Sequence, residues 1–319
     1  MLSLVIPVYR NEESLADLLV AVQSLSERLG GAMEAIFVVD GSPDRCHDIL
    51  SALLPSCGFR SQLVLLARNF GSFAAIRAGM EAGQGERFAV MAADLQEPPE
   101  LALEMNAILQ ADEADIVLGV RTARMEPWRT RLPSQLFWAL YRRYVVPEMP
   151  PGGVDMFACN KTFRDTLLLL EERHSSLVAQ IFWLGFRRKQ ISYVRLARRH
   201  GQSAWTLRKK INYLMDSVFA FSDLPIRLLL RGGAVGILGS ILMGFIVVAA
   251  RLSEAIHVPG YSMIVVMIVF FGALNLFSLG IVGSYAWRAY ENTKARPLTV
   301  RLRAQSFRGV SDSPIREVE

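Results

Sequence analysis

Five short apolar runs, each followed by a polar or glycine-bearing loop and then by a helical pattern, constrain the fold of this chain more than any other feature. Residues 2–8 are apolar, with a break at Pro7, and read as a buried parallel strand. Leu15, Leu18, Leu19, Val22, Leu25 and Leu29 then recur at helical spacing. Residues 35–39 form the second run. It ends in Asp40, Gly41, Ser42, Pro43 and Asp44, a composition that turns the chain and caps the next helix. Residues 63–67, 88–93 and 115–120 supply the remaining strands, with helices predicted from Arg68 to about Ala82 and over residues 99–110. This rhythm predicts a doubly wound α/β domain, in which ligands collect beyond the carboxyl ends of the strands. No GxGxxG follows the first strand and no GxxxxGKS/T occurs, so bound phosphates would rely on a metal, arginines or helix N-termini.

The stretch 88–100, FAVMAADLQEPPE, is the centre of the candidate chemistry. Its apolar run ends abruptly in Asp94, Gln96 and Glu97, before Pro98 and Pro99 open the next helix. Two oxygen-bearing side chains two residues apart suit Mg2+ or Mn2+, hard cations that bridge protein oxygens to phosphates. The alternative is a helix start with a polar cap and a proline just inside it.

With 52% hydrophobic and 20% charged residues among 319, and a mean hydropathy of +0.28, the chain calls for membrane segments. Residues 232–250 and 261–287 are uncharged and each long enough for a hydrocarbon core of roughly 30 Å, with a short connector between them. A C-terminal two-helix transmembrane hairpin is therefore predicted within residues 226–290. Arg227 and Arg231 precede it, and Arg288, Lys294, Arg296, Arg301 and Arg303 follow. That bias predicts a multi-pass protein of the inner (plasma) membrane with both termini cytoplasmic. Gly232, Gly236 and Gly239 favour close helix packing and with it a homo-oligomer. Residues 291–319 read as a basic cytoplasmic tail, only partly ordered. Residues 1–225 read as the cytoplasmic α/β domain, including amphipathic stretches at about 126–147 and 205–224. Both suit a membrane interface; packing on the α/β domain is the other reading of the first.

The net charge of +5 is concentrated in residues 128–143, 187–210 and beyond 287, a pattern suited to lipid phosphate or a phosphate ligand. No nucleic-acid-binding motif accompanies it, and no nucleic-acid partner is expected. Cys46, Cys57 and Cys159 are too scattered for a disulfide framework or zinc site. The first residues lack a secretory signal pattern. The four histidines show neither ligand spacing nor a nucleophile partner. In the basic tract, Arg195, Arg198 and Arg199 precede Gly201, Gln202 and Ser203, and Arg208, Lys209 and Lys210 follow Trp205. Such arginines clamp a pyrophosphate or face anionic lipid, and the two uses are compatible. Asp155, after a Gly-rich loop, offers a carboxylate to orient an acceptor or a sugar. Together these features predict a water-soluble donor meeting a lipid-linked phosphate acceptor.

Taken in order, VIPVYRNEESL (from Val5), VVDGSPD (from Val38), LARNFGSFAAIRAGM (from Leu66), ADLQEPPE (from Ala93), VLGVR (from Val117), GGVDMF (from Gly152) and YVRLARRHGQSAW (from Tyr193) carry a resemblance. The chain resembles family 2 glycosyltransferases of the polyisoprenyl-phosphate type, which include dolichyl-phosphate mannose synthases and bacterial undecaprenyl-phosphate glycosyltransferases. The resemblance spans nearly the whole chain. It implies a GT-A fold, a nucleotide-sugar donor, a polyprenyl phosphate acceptor of the undecaprenyl type in the membrane lipid, a divalent metal and inversion at the anomeric carbon. By position, Pro7, Tyr9 and Glu12 resemble the nucleotide pocket, and Asp40, Arg68 and Arg121 join the expected donor-binding set. Asp94 with Gln96 falls at the metal and phosphate site, and Asp155 at the acceptor-side aspartate, so Asp94 and Asp155 are the expected catalytic residues. Arg198 with Ser203 falls at the diphosphate loop. Arg195, Arg208 and Lys209 are assigned to the acceptor phosphate.

Two positions depart from the family pattern. Val39 stands where a first carboxylate usually contacts the base, and Ala92 stands where the metal motif usually begins with Asp. A metal would then have Asp94, Gln96, diphosphate oxygens and water, with help from Asp40, unless the arginines take over the charge. The expected function is transfer of a sugar to polyprenyl phosphate. The alternative is a catalytically silent relative serving as a membrane-bound partner or scaffold in cell-envelope glycan assembly. A processive polysaccharide synthase fits poorly, because one hairpin makes no polymer channel and a QxxRW motif is absent.

Overall fold

The structure, a computed structural model, describes residues 1–121, 141–143, 146–150, 153–172, 175–196, 215, 217–219, 222, 224–252 and 261–309. The chain divides into two compact units, residues 1–210 with 296–319, and residues 211–295.

The first unit opens with β1 (Leu2–Val8), α1 (Leu15–Arg28), β2 (Met33–Val39), α2 (Cys46–Leu53), β3 (Arg60–Leu66), α3 (Ser72–Ala82) and β4 (Arg87–Val90). Then come α4 (Glu100–Gln110), β5 (Ile116–Arg121), β6 (Val154–Asn160), α5 (Lys161–Leu168), α6 (Leu177–Trp183) and β7 (Arg188–Tyr193). A last strand, β8 (Arg301–Phe307), follows the second unit in sequence. The sheet order is β7-β5-β6-β4-β1-β2-β3-β8. β1 pairs in parallel with β2 and β4, β2 with β3, and β5 with β7. β6 is antiparallel to both β4 and β5, and β8 is antiparallel to β3.

Strands covered on both faces need near-continuous apolar runs, and β2 is buried along its whole length. Leu15, Leu18, Leu19, Val22 and Leu25 form the buried stripe of α1. Burying each such leucine contributes ~1.5–3 kcal/mol before entropy is counted. Helix α3 lies so close to β1 that a Cβ on Gly79 would sit 2.3 Å from Val5 Cγ1. Buried Arg77 on α3 donates to Leu167 O (2.9 Å) and Leu168 O (3.0 Å), satisfying carbonyls at the end of α5.

From β1 the chain winds outward through β2 and β3, then returns to place β4 on the other side of β1, in parallel. A doubly wound sheet opens its ligand crevice at that switch point, here flanked by the loops after Val8 and Val90. Two differences from expectation shape the site. Val154 and Asp155, expected to end the Gly-rich loop, instead open strand β6, which fixes Asp155 on the sheet. The tail expected to be only partly ordered instead supplies β8. Its outward-facing basic residues suit an edge strand, where charge blunts further pairing. Ala67 N donates to Val300 O (2.9 Å), and Arg301 pairs with Glu81 of α3.

The second unit holds two long helices, α7 (Leu224–Leu252) and α8 (Tyr261–Thr293). Phe219 meets Tyr285 edge-on at 5.1 Å, and Arg288 lies over the Phe219 ring. Many apolar side chains are exposed, among them Leu238, Phe245, Ile268, Leu276 and Phe277. Among the described residues, one stretch is long and apolar enough to cross a membrane, Phe270–Thr293, with a hydropathy of 1.3. Its length as a helix is about 36 Å. The two-helix transmembrane hairpin is therefore corrected to a single candidate span. No part of helix α7 is found to meet that criterion among the described residues. The predicted interfacial stretches at about 126–147 and 205–224 fall almost wholly outside the described residues.

Gly41 joins the turn after β2 to the loop after β3. Its φ is +55°, and an added Cβ would lie 2.3 Å from the Arg68 carbonyl carbon. Gly41→Ala combines left-handed strain with a clash against backbone, so it should lower stability by about 2–4 kcal/mol. A fall of several degrees in thermal midpoint, measured on the detergent-purified protein, is the expected result.

Candidate active site

Loops at the carboxyl ends of the strands build the site. After β1, Arg10 takes φ +56°, and its N–H donates to Ser42 Oγ (2.8 Å). The Tyr9 N–H donates to Asn11 Oδ1 (3.0 Å). Glu12 accepts from Arg45 through both its backbone N–H and Nε, each at 3.1 Å. These bonds tie the loop after β1 to the turn after β2. Glu12, expected in the nucleotide pocket, is engaged by Arg45; Pro7 is within β1 itself.

Asp40 is buried, with 2% exposure, at the N-terminus of α3. Its oxygens accept from Phe70 N (2.7 Å) and Gly71 N (2.9 Å), the two residues just before the helix. The carboxylate therefore shapes the Arg68–Gly71 loop. Exposed Arg68 stacks over Phe70 at 4.2 Å. Val39 is also buried, so neither position 39 nor position 40 offers a free carboxylate to a base.

Leu95 sits at φ +51°, an unusual conformation for a bulky residue, between Asp94 and Gln96. Strained backbone of this kind is concentrated at functional sites. The turn lets Gln96 N donate to Asp94 Oδ1 at 3.4 Å. From the loop after β7, Leu196 N donates to Gln96 O (2.8 Å), and Arg195 Nη2 donates to Gln96 Oε1. Arg195 also lies 3.9 Å from Glu97 Oε1. The Glu97 side chain is only 3% exposed, and its Oε2 has no hydrogen-bond partner among the described residues.

The ends of β5, β6 and β7 form the second half. Arg121 reaches Asp155 with Nε and Nη2, one to each oxygen, in a bidentate pair. Tyr193 Oη donates to Asp155 Oδ2 at 2.7 Å. Register brings these together, since Arg121 stands opposite Tyr193 and Val120 opposite Val154. Burial opposes charge on Asp155, but the Arg121 bonds and charge, the Tyr193 hydroxyl and Arg195 hold its carboxyl below the ordinary range. Burial, then the Asp155 charge, raise the Tyr193 phenol. Burial first, then Asp155 and Asp94, push Glu97 up to about 7, with Arg195 opposing.

Of the expected residues, Asp94, Gln96, Arg195, Asp155 and Arg121 are thus brought into one linked group. Arg198, Ser203, Arg208 and Lys209 lie outside the described residues. Sequence reasoning did not single out Glu97 or Tyr193. Glu97 belongs to the ADLQEPPE segment, but its burial has no sequence signal, and Tyr193 opens the YVRLARRHGQSAW segment with nothing in the sequence to mark its hydroxyl.

The expected Mg2+ or Mn2+ site can be tested against these contacts. Among the described residues no group of three or more His, Cys, Asp or Glu could hold a metal ion. Position 92 brings no carboxylate, and the Gln96 oxygen already accepts from a guanidinium. Unit charges ~4 Å apart at an effective dielectric of ~20 repel by about 4 kcal/mol, and a divalent ion doubles that. The described residues do not fit a protein-held divalent cation alongside Arg195.

Asp155→Asn should cost about 2–4 kcal/mol at neutral pH by leaving Arg121 buried without its counter-charge. The folded-state pKa is lowered, so this stabilisation is present above the unfolded value of ~3.9 and is lost as pH falls through the folded value. Thermal midpoints of wild type and variant should converge between pH 5 and the acid limit of solubility.

The description "Glycosyl transferase family 2" matches residues 3–169. An uncharacterized glycosyltransferase of Synechocystis sp. is 32% identical over 298 residues, covering 93% of each chain. An undecaprenyl-phosphate 4-deoxy-4-formamido-L-arabinose transferase of Pseudomonas aeruginosa is 32% identical over 304 residues, covering 93% of this chain and 88% of that protein. Glucosyl-3-phosphoglycerate synthase from Mycobacterium tuberculosis, solved with Mn2+, UDP and glucosyl-3-phosphoglycerate, aligns with a TM-score of 0.43 at 16% identity, over 69% of this chain and 77% of that one. With its α/β nucleotide-sugar domain, the chain belongs to glycosyl transferase family 2 and is a glycosyltransferase acting on a nucleotide-sugar donor.

Proposed function

We propose that the protein transfers a sugar, with inversion, from its nucleotide-sugar donor to a polyprenyl phosphate of the undecaprenyl type. The observation that carries this reading is Asp155, held charged by Arg121 and Tyr193 and electrostatically coupled to the 94–97 segment. Two features support the acceptor. Relatives covering nearly the whole chain are named for undecaprenyl phosphate, and Phe270–Thr293 is apolar enough to enter a bilayer. Reaction would then occur at the cytoplasmic surface of the plasma membrane, where a charged donor meets a lipid-held acceptor.

A phosphate nucleophile is already anionic, so the step needs little general-base help. Its oxygen attacks the anomeric carbon from the face opposite the leaving diphosphate, and a single displacement inverts that carbon. Asp155 orients the acceptor or a donor hydroxyl, while Arg121 and Tyr193 keep its rotamer and charge fixed. Asp94, at the end of the apolar run after β4, is the carboxylate assigned to the donor side, with Gln96 N donating to its Oδ1. Arg68, stacked on Phe70 beside Asp40, is the arginine assigned to the donor. A catalytically silent scaffold is the second reading, favoured by Val39 and Ala92.

Detergent-purified protein given undecaprenyl phosphate and a panel of UDP-, GDP- and dTDP-sugars should form one lipid-linked sugar, detected by mass. Asp94→Asn should reduce its rate by about 10²–10³-fold. Absence of both transfer and nucleotide binding across the panel would favour the scaffold.

A further inference from the structure

We propose that Arg195, seated on Gln96 and Glu97, supplies the positive charge that the leaving diphosphate requires, so that transfer proceeds without a divalent metal held by the protein. This rests on the transferase reading above. In that reaction the bond between the anomeric carbon and the β-phosphate oxygen breaks, and its electron pair stays on the diphosphate. The acceptor phosphate oxygen supplies the pair for the new bond. No proton moves, and the diphosphate leaves with one additional unit of negative charge. Preorganised cations aimed at such a charge are the largest source of acceleration in sites of this type.

Three features place Arg195 for the task. The 94–97 segment follows β4 at the switch point of the sheet, where phosphate ligands of open α/β folds collect. Arg195 is fixed there by its own bond to Gln96 Oε1 and by the adjacent backbone bond from Leu196 N to Gln96 O. Its Nε is buried and has no hydrogen-bond partner among the described residues, and its side chain keeps 31% exposure. A guanidinium with donors in reserve and an open side can engage a diphosphate without leaving its seat.

Glu97 is the positioning residue in this arrangement. It lies 3.9 Å from Arg195, too far to take up the guanidinium donors but near enough to hold the cation against the sheet. The residue losses fit the same picture. Ala92 removes a carboxylate that would help hold a metal, and that change leaves Arg195 as the cation touching Gln96 among the described residues.

The test uses the full-length protein in detergent, with two readouts. Calorimetric binding of inorganic pyrophosphate, UDP and GDP is measured in excess EDTA, and transfer is measured with EDTA and with Mg2+ or Mn2+. Wild type should bind pyrophosphate in EDTA, and its transfer rate should change less than about twofold on metal addition. Arg195→Gln should weaken pyrophosphate binding at least tenfold and lower transfer by about 10²–10³-fold, with partial recovery in Arg195→Lys. Glu97→Gln should lower kcat with little change in donor KM, whereas a purely structural role would lower the thermal midpoint and leave the ratio intact. Transfer that occurs only with added metal, or pyrophosphate binding unchanged in folded Arg195→Gln, overturns the proposal. Failure of every donor with intact pyrophosphate binding in EDTA would count against the transferase reading and leave the cation assignment standing.

Discussion

Asp94, Glu97 and Asp155 share a partly buried space at the ends of β4 and β6, and their mutual repulsion is the constraint on which the site depends. Burial first, and then the charges of Asp155 and Asp94, drive Glu97 toward protonation. Asp155 escapes this because Arg121 is matched to both its oxygens and Tyr193 adds a third donor. Arg195 plays the weaker, more distant part for Glu97. The two guanidiniums arrive from β5 and from the loop after β7, so the sheet order β7-β5-β6-β4 is also the order in which charge is balanced. Insertion of antiparallel β6 between β4 and β5 makes this possible. A purely parallel arrangement would set β5 directly beside β4 and leave no strand to carry Asp155.

The donor side is governed by backbone rather than by charge. Asp40 holds the two backbone N–H groups just before α3, and Gly41 lets the turn after β2 rest on the Arg68 backbone. A carboxylate in that motif looks the same in sequence whether it faces a ligand or holds the backbone ahead of a helix. Only the distances to Phe70 N and Gly71 N distinguish the uses. Glu12 is similar, since the residue expected to face a nucleotide forms a two-point contact with Arg45.

What could be read from the sequence follows the same physics. The strands β1 to β5 were legible because burial on both faces demands unbroken apolar runs, and α1 because its leucines keep one stripe. β6 was hidden by the Gly-rich approach and by a carboxylate near its start, features that describe a loop until pairing with β4 and β5 satisfies the backbone. Glu97 resisted prediction because burial of a charge depends on neighbours distant in sequence. The paired apolar segments read as two membrane crossings from length and lack of charge, whereas among the described residues one stretch, Phe270–Thr293, is long and apolar enough to qualify.

β7 and β8 form the two outer edges of one sheet, yet the whole of the second unit separates them in sequence. During synthesis the edge of β3 therefore stays unpaired until the apolar helices α7 and α8 have been made. The domain carrying the chemistry cannot be completed ahead of the segment with membrane affinity, and a nascent chain halted in between exposes a strand edge open to pairing with other chains. Fold completion is thus timed by the helices' own emergence, which makes prompt handling of those helices a condition for a soluble, correctly paired sheet.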